Sequence, residues 1–563
     1  MKNKIIDLIA GQVTDITPEE IAALIEIPPK PELGDFAFPC FRLAKTMHKA
    51  PQAIAAEIKD GIGRVDFLDE IKCEGAYLNF FVNKEQFIAS QVQSMLKDNY
   101  GSSAEGEGKT ICIDYSSPNV AKNFHVGHLR TTIIGNALYK IYSKLGYHVE
   151  RINHIGDWGT QFGKLIVAYK AWGSEEAVKK DGVAELMRLY VKFHEEAEKD
   201  ENLINEGRAW FAKMEQGDPE ALSIWQWFKD ISLAEFMKTY KLLGIEFDHI
   251  TGESFYRNMT DDVIARIEKA GLLTESDGAK IVNLDEYDMP PCLIVKNDGS
   301  SIYATRDLAA VFYRKETYNF TKCLYVTGQE QKLHFAQVFK VVELLGNDWA
   351  KDGLVHIPYG LVSLSGEKLS TRSGNIIYAE DILLEAISKI KEIIEEKNPG
   401  LPDKDEVARK VGVGAVLFND LYNQRIKDVS FKWDKLLNFN GETGPYVQYT
   451  YARCASILRG LEGFTPSADI DYSVLTDDAS VDLVKELSRF GKVVQDAAER
   501  YEPFMVARFA VAVAQVFNKF YDANRINVED EKVKTARATL VYIVKTVIKD
   551  AMSLLGIECP EQM

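Results

Sequence analysis

The sequence predicts a multidomain α/β protein in which a parallel-sheet domain stands, along the chain, between a small α+β domain and an all-α bundle. The chain has 563 residues, too many for one hydrophobic core, which favours several domains. A short apolar, β-branched run at 111–113 precedes a turn and then a helical pattern from about His125 to Gly146. From about residue 379 onward, apolar residues recur almost everywhere at helical spacing.

Residues 1–105 are predicted to form the small α+β domain. Proline and glycine around 28–35 mark turns, residues 40–58 have helical spacing, and residues 77–82 have a strand pattern. The stretch 99–108 is polar and rich in glycine and serine, as linkers are, and it sets the boundary of this domain.

The parallel-sheet domain, predicted over 106–380, opens with the apolar run and its helix. Pro118 disfavours helical geometry at the residue before it, so the helical pattern starts only near His125. His125 and His128 therefore share one face of the first helical turn, just past the carboxyl end of a strand. Ligands bind at that edge of an open α/β sheet, and a helix N-terminus favours phosphate. For a lone pair at this spacing, two polar residues at a helix start are the simpler interpretation.

Three other segments of this domain leave their roles open. Three glycines within 156–163 indicate a backbone pressed against either a ligand or a neighbouring element. Residues of about 172–250 are charged and helical in period; they predict a helical insertion, and a solvated hairpin without chemistry is the simpler interpretation. The loop 363–374 fits a mobile phosphate-contacting loop or an ordinary surface loop. Further strand patterns lie at 148–154, 293–296, 324–326 and 355–357.

Composition and charge exclude several classes of protein. No apolar run approaches the roughly 18 residues of a membrane span, and the N-terminal segment lacks a signal peptide's apolar core, which predicts a cytoplasmic location. The seven cysteines form no Cys-x-x-Cys pair, so neither a disulfide framework nor a zinc site is predicted. A net charge of −17 argues only mildly against a nucleic-acid partner, because phosphate binding depends on a local basic patch.

The motifs of the α/β domain resemble those of the class I aminoacyl-tRNA synthetases. These motifs are a strand, a turn, a His-x-Gly-His helix start and, far downstream, a Lys-x-Ser loop. Longer stretches narrow the resemblance to the arginyl-tRNA synthetase family and span essentially the whole chain: 34–37, 114–122, 125–130, 156–163, 303–308, 328–335 and 446–453. The resemblance implies that L-arginine is activated with ATP, that pyrophosphate is released, and that arginine is then transferred to tRNA(Arg).

The resemblance also implies an arginine pocket. A guanidinium is a charged, planar fork of donors, so its pocket needs carboxylates and flat partners. Asp307 would accept from the guanidinium, with Tyr303 packing or bonding beside it. By resemblance the other arginine-binding residues are Asp114 and Asn119 at the α-amino end and Gln331. The same fork geometry would reject lysine without a separate editing site, and no editing domain is evident.

For ATP, the resemblance implies that the two imidazoles reach the phosphate oxygens and that Gly127 lets the adenine ring lie against the backbone. The looped lysine would meet the departing pyrophosphate together with Mg²⁺, and no zinc is implied. The ATP-binding residues implied are His125, Gly127, His128, Lys368, Ser370 and Arg372, and those with catalytic roles are His125, His128, Lys122 and Lys368.

One position departs from the class I pattern. The loop motif usually carries two lysines, but Thr371 stands in the second place here. The family commonly lacks this lysine and uses the one just before the histidine motif, which is Lys122 in this sequence. Arg372 is the rival candidate for the missing charge.

The resemblance assigns a task to each part of the chain. Residues 1–105 would bind the tRNA elbow, 106–380 would form the Rossmann-like catalytic domain, 381–435 a helical connection, and 436–563 the anticodon-binding bundle. Tyr449, Tyr451 and Arg453 are candidate tRNA contacts, although aromatic residues at helical spacing are more often core than RNA platform. A monomer without a membrane partner is implied.

Three other functions fit the sequence less well. A synthetase for cysteine or glutamate is disfavoured by the absence of a zinc-ligand set and by the pair Tyr303 and Asp307. An inactive paralogue that only binds tRNA would be expected to have lost a histidine or Lys368, yet all are present. A small nucleotidylyltransferase would not need the flanking domains.

Overall fold

The computed structural model describes residues 1–297, 302–364, 367–368 and 378–563. These residues form two compact units, each built from separate stretches of the chain. The first unit comprises residues 1–100, 457–489 and 515–545, and the second comprises 101–456, 490–514 and 546–563. The histidine motif therefore lies in the second unit.

The described elements are a mixture of strands and helices up to residue 368 and are mainly helical after it. The strands are β1 (Phe36–Pro39), β2 (Leu68–Glu74), β3 (Tyr77–Val82), β4 (Thr110–Asp114), β5 (His148–Asn153), β6 (His249–Ile250), β7 (Leu273–Ser276), β8 (Ala279–Val282), β9 (Cys292–Val295), β10 (Lys322–Gly328), β11 (Leu354–Tyr359), β12 (Val362–Leu364), β13 (Glu367–Lys368) and β14 (Val429–Phe431). The helices are α1 (Lys2–Ala10), α2 (Pro18–Leu24), α3 (Leu43–Met47), α4 (Pro51–Ile62), α5 (Lys84–Met95), α6 (Val126–Lys144), α7 (Thr160–Trp172), α8 (Glu175–Asp181), α9 (Val183–Ala197), α10 (Asn202–Glu215), α11 (Pro219–Leu243), α12 (Glu253–Tyr256), α13 (Thr260–Lys269), α14 (Tyr303–Tyr318), α15 (Lys332–Leu344), α16 (Ala350–Gly353), α17 (Ala379–Lys397), α18 (Lys404–Leu421), α19 (Trp433–Leu436), α20 (Gly444–Arg459), α21 (Asp478–Leu487), α22 (Phe490–Arg500), α23 (Phe504–Ala523) and α24 (Glu531–Leu554). Within the described ranges, none of these helices is both long and apolar enough to cross a membrane.

The second unit is built on a parallel sheet with strand order β11-β10-β4-β5-β6. β4 is buried from Ile111 to Asp114, as expected for a central strand covered by helices on both faces. The predicted strands at 111–113, 148–154, 324–326 and 355–357 all belong to this sheet. The strand predicted at 293–296 is β9, which pairs instead with β8 in a separate antiparallel sheet.

Helix α6 confirms the predicted helix after β4. His125 is its N-cap, and its last helical residue is Lys144. Gly146, the predicted stop, has φ +84°, a conformation that glycine adopts without steric cost.

The insertion is helical, as predicted, but its inner face is not solvated. Helices α8 to α11 pack on α7 in one apolar core whose fully buried members include Phe193 and Phe228. Gly163 of α7 explains part of the glycine-rich stretch, because an added Cβ would lie 2.0 Å from the carbonyl oxygen of Gly207 in α10. The close neighbour at this glycine is therefore another helix.

Two predicted patterns outside the parallel sheet need correction. The helical spacing over 40–58 belongs to two helices, α3 and α4, separated by His48 in a left-handed conformation and by the start of α4 at Pro51. The helical region after 379 also contains the strand β14, which pairs in parallel with β12. In the first unit, β3 matches the predicted strand at 77–82 and pairs with β1 and β2 in an antiparallel sheet.

Candidate active site

The candidate site lies where β4, β5 and β10 end and α6 begins. The last residues of these three strands are Asp114, Asn153 and Gly328. Because the strands are parallel, their carboxyl ends meet at one edge of the sheet. The segment 115–125 crosses this edge and carries the chain from β4 into α6.

The two histidines are fixed by the backbone of the helix start. Nδ1 of His125 accepts from the Gly127 N–H at 3.0 Å, and Nδ1 of His128 accepts from the His125 N–H at 3.3 Å. The two rings stack with their centroids 3.9 Å apart and their planes 22° from parallel. Since both Nδ1 atoms accept, each neutral imidazole carries its proton on Nε2 and can donate from there.

Electrostatics keep this imidazole pair neutral. Burial lowers the pKa of His125, and the positive charge of Lys122 lowers it further. For His128, burial, the neighbouring His125 and Lys122 together hold the pKa well below its usual value. Lys122 is exposed, and its positive charge acts on both rings.

His128 is expected to make the stability of the fold depend on pH. Because its pKa is lower in the folded than in the unfolded state, the unfolded state binds more protons below the ordinary value of about 6.5, and the free energy of unfolding falls as the pH drops. We expect His128→Gln to weaken this dependence. Urea unfolding at about pH 7 and about pH 5 measures it: the wild type should lose stability relative to the variant at the lower pH. An equal difference at both pH values would contradict a neutral His128 in the folded state.

Gly127 has a steric role within the histidine motif. A Cβ at this position would lie 2.9 Å from Cε1 and 3.0 Å from Nδ1 of the His125 ring. A side chain here would therefore push the ring out of its stacked position. This requirement is independent of the predicted approach of an adenine ring.

The segment between β4 and α6 contains three non-glycine residues in the left-handed region. Ser116 has φ +71°, Ser117 +46° and Ala121 +60°. Such residues cost on the order of 1–3 kcal/mol each and persist only where their surroundings hold them. One of these contacts is visible at Ser117, whose N–H donates to Oδ1 of Asn153 at 3.1 Å. Strain of this kind clusters at functional sites.

Asp114, predicted to bind the α-amino end of arginine, is already engaged in the structure. Its Oδ2 lies 2.8 Å from Nη2 of Arg314, and its Oδ1 accepts from the Ser117 hydroxyl at 2.9 Å. Both members of the ion pair are buried. Sequence reasoning missed Arg314; the available signal was its position two helical turns after Asp307 in α14.

Asp307 and Tyr303 lie in the first turns of α14, where the sequence placed them on one helical face. Oδ2 of Asp307 lies 2.6 Å from Nε2 of His334, and Oδ1 lies 3.9 Å from Nε2 of His154. Burial by itself would raise the pKa of Asp307, but the hydrogen bond from His334 and the nearby positive charges outweigh it and lower that pKa. Asp307 is therefore a carboxylate at neutral pH. Tyr303, one helical turn before Asp307, is 57% exposed.

A second carboxylate, Glu253, lies near Asp307 and was not predicted. It begins α12, and its Oε2 lies 3.0 Å from Nε of Arg306. Burial, only partly offset by Arg306, raises the pKa of Glu253 to about 8. A buried carboxyl group with a raised pKa in a crevice is a signal of function that sequence spacing does not contain.

Two other predicted arginine-binding residues, Asn119 and Gln331, lie near this edge and are exposed. The backbone of Asn119 bridges Gly156, and Gln331 directly precedes α15. The structure describes the backbone of Lys368 in β13, whereas Ser370 and Arg372 lie outside the described residues. After that gap the chain returns to the histidine motif, because Tyr378 pairs with His125.

The predicted tRNA-binding residues all lie in α20 but differ in exposure. Tyr449 is exposed, and the guanidinium of Arg453 lies 5.1 Å from the centre of its ring. Tyr451 is buried, with its hydroxyl donating to Glu561. Tyr451 therefore belongs to the helical core, which corrects the expectation that it reaches RNA.

A parallel sheet with a His-x-Gly-His helix start at its carboxyl edge is the arrangement of the class I aminoacyl-tRNA synthetases, and a family model places the chain in that class. Residues 91–433 match the family model described as "tRNA synthetases class I (R), catalytic domain". Residues 3–82 match the "Arginyl tRNA synthetase N terminal domain" and 447–563 the "DALR anticodon binding domain". The chain belongs to the arginyl-tRNA synthetase family, and its activity is that of an arginine–tRNA ligase.

The chain is similar to individual arginyl-tRNA synthetases over nearly their full length. The chain is 52% identical to the arginine–tRNA ligase of Alkaliphilus metalliredigens over 100% of this chain and 99% of that protein. It is 54% identical to the enzyme of the same name from Clostridium perfringens over 98% and 97%. The solved Thermus thermophilus arginyl-tRNA synthetase superposes with a TM-score of 0.83 at 26% identity, with both chains fully covered.

Proposed function

We propose that the edge formed by β4, β5 and β10 binds L-arginine and ATP side by side, joins them, and passes arginine to tRNA(Arg). The observation that carries this proposal is that two unlike subsites lie at one edge of the parallel sheet. An ionised Asp307, suited to a guanidinium, lies beside His334 and His154. A neutral donor pair, His125 and His128, suited to phosphate oxygens, lies at the start of α6.

In the arginine subsite, Asp307 accepts from the guanidinium, and the exposed ring of Tyr303 packs on it. Asn119 and Gln331 fix the α-amino and carboxylate end. Asp114 supports this end from behind, since its oxygens are engaged by Arg314 and Ser117.

In the ATP subsite, His125 and His128 donate from Nε2 to phosphate oxygens, and Gly127 keeps the backbone open toward the adenine. Lys122, Lys368, Ser370 and Arg372 supply further donors to the phosphates. Mg²⁺ is held largely through substrate phosphates and needs no protein cage, so it fits a site whose donors are cationic or neutral; when bound, it neutralises phosphate charge.

The chemistry proceeds in two displacements. A carboxylate oxygen of arginine attacks the α-phosphorus of ATP, and the bond to the β-phosphate breaks, releasing pyrophosphate. A ribose hydroxyl at the 3′ end of tRNA then attacks the activated carbonyl carbon and releases AMP. The protein contributes mainly positioning and stabilisation of charge on phosphate oxygens.

The parts of the chain outside the catalytic region would mainly bind tRNA. We assign 1–105 to the tRNA elbow and 436–563 to the anticodon, with 106–380 carrying catalysis and 381–435 forming a connection. Tyr449, stacked under the guanidinium of Arg453, offers an exposed platform for an unpaired base. The enzyme acts as a monomer in the cytoplasm, where it meets ATP and tRNA.

Pyrophosphate exchange tests the subsites directly. With tRNA present, exchange is expected with arginine and not with lysine or citrulline, because lysine lacks the planar fork and citrulline lacks the charge. Without tRNA, exchange with arginine is expected to be negligible, as the family tends to require bound tRNA. Robust exchange with citrulline would contradict the role of Asp307, and robust exchange without tRNA would contradict the tRNA requirement.

A further inference from the structure

Helix α11 of the insertion presents a buried polar stripe to the segment 115–125. Ser232 and Tyr240, two helical turns apart, are 0% and 1% exposed. The Ser232 hydroxyl accepts from the N–H of Ala121 at 3.0 Å, and Ala121 is one of the residues in the left-handed conformation. The insertion therefore contacts the part of the chain that carries the histidine motif.

Tyr240 connects this stripe to the start of α6. Its hydroxyl lies 2.7 Å from the Ser116 hydroxyl, which lies 2.8 Å from the hydroxyl of Thr132. Thr132 in turn donates to the carbonyl oxygen of His128 at 2.6 Å. These four residues all belong to the second unit, and Tyr240, Ser116 and Thr132 are buried. This path ends at the first turn of α6.

The same hydroxyl also begins a path toward the arginine subsite. Tyr240 accepts from Nδ2 of Asn153 at 2.9 Å, and Oδ1 of Asn153 accepts from the Ser117 N–H. The Ser117 hydroxyl donates to Asp114, whose other oxygen pairs with Arg314. The two paths hold Ser116 and Ser117, the adjacent left-handed residues, from both sides.

We infer that Tyr240 is a positioning residue for arginine activation: its hydroxyl holds the strained Ser116–Ser117 turn so that the histidines and the arginine subsite keep their relative placement. This inference rests on the proposed roles of His128 and Asp307. A hydroxyl is needed here because it can accept from Asn153 and donate to Ser116 at once, which a phenyl ring cannot do. The ring itself packs edge-on against Phe124, so Tyr240→Phe keeps the apolar contact.

Tyr240→Phe is expected to lower kcat for tRNA-dependent pyrophosphate exchange about 10- to 100-fold, the effect of a slightly misplaced reacting group, with KM for arginine changed by less than about threefold. The matched control is Tyr142→Phe, which removes another buried hydroxyl. That hydroxyl donates to the carbonyl oxygen of Ala498 at 2.9 Å and is not part of the Tyr240 network. Both variants should have similar unfolding midpoints, while only Tyr240→Phe loses turnover. Equal turnover in the two variants would overturn the inference.

A double-mutant cycle separates positioning from a general structural role. Glycine adopts the left-handed conformation freely, and Ser116→Gly also removes the hydroxyl that Tyr240 contacts. In the Ser116→Gly background, Tyr240→Phe should therefore cost less than about threefold in kcat. An undiminished effect there would overturn the inference. If His128→Ala and Asp307→Asn retain full pyrophosphate exchange, the proposed site is wrong. If those two variants lose exchange while Tyr240→Phe exchanges normally, only the role of Tyr240 is refuted.

Discussion

Asp307→Asn is expected to lower kcat/KM for arginine by on the order of 2–5 kcal/mol, roughly 30-fold to several thousand-fold. The variant keeps the size of the side chain and removes its charge, so a desolvated guanidinium is left without a counter-ion. The loss should fall mainly on arginine, because the stacked histidines that are proposed to contact ATP are on another element. Steady-state exchange with arginine varied at saturating ATP, and then the reverse, measures this.

The control for Asp307→Asn is Glu316→Gln in the same helix. Glu316 pairs with Arg266 at the surface, with 63% of its side chain exposed, and such pairs contribute little. It should behave as wild type in exchange. An unchanged KM and kcat for arginine in Asp307→Asn would remove Asp307 from the pocket.

Lys122→Ala is expected to lower the rate of arginine activation by about two orders of magnitude or more, with arginine affinity nearly intact. Lys122 lies just before the histidine motif and its positive charge acts on both rings, so we expect it to meet the phosphates that the histidines are proposed to contact. A cation that stabilises charge only in the transition state affects kcat rather than uniform binding. Arg372→Ala, assayed in parallel, tests the rival source of charge.

The two alanine variants distinguish Lys122 from Arg372 as the source of the missing positive charge. Near-normal turnover in Lys122→Ala would refute its role, and loss in Arg372→Ala alone would transfer the role to Arg372. A second readout concerns the imidazoles: removing the positive charge of Lys122 should raise the pKa of His125 and His128, which NMR titration measures.

Local patterns predicted the elements that carry the site. The apolar run of β4, Pro118 and the helical spacing after His125 are contiguous signals, and the strand, turn and helix start follow within a few residues of the prediction. Local patterns could not predict what Gly163 contacts or that one face of α11 is buried, because the partners lie in other parts of the chain.

The residues that sequence reasoning missed are those whose role depends on tertiary contacts. Arg314 in α14 acquires its role only by meeting Asp114 at the end of β4, and His334 by meeting Asp307. Tyr240 lies in a charged helical insertion with no motif around it, and only the fold brings its hydroxyl to Ser116. Tyr451 shows the opposite error, because an aromatic residue with the right spacing for RNA contact is packed in the core.

Charging of total tRNA with each labelled amino acid in parallel tests the central claim most directly. The account predicts that arginine alone is incorporated, in the presence of ATP and Mg²⁺, and that the labelled product is tRNA(Arg). Stable incorporation of any other amino acid, or charging of a tRNA other than tRNA(Arg), would contradict it.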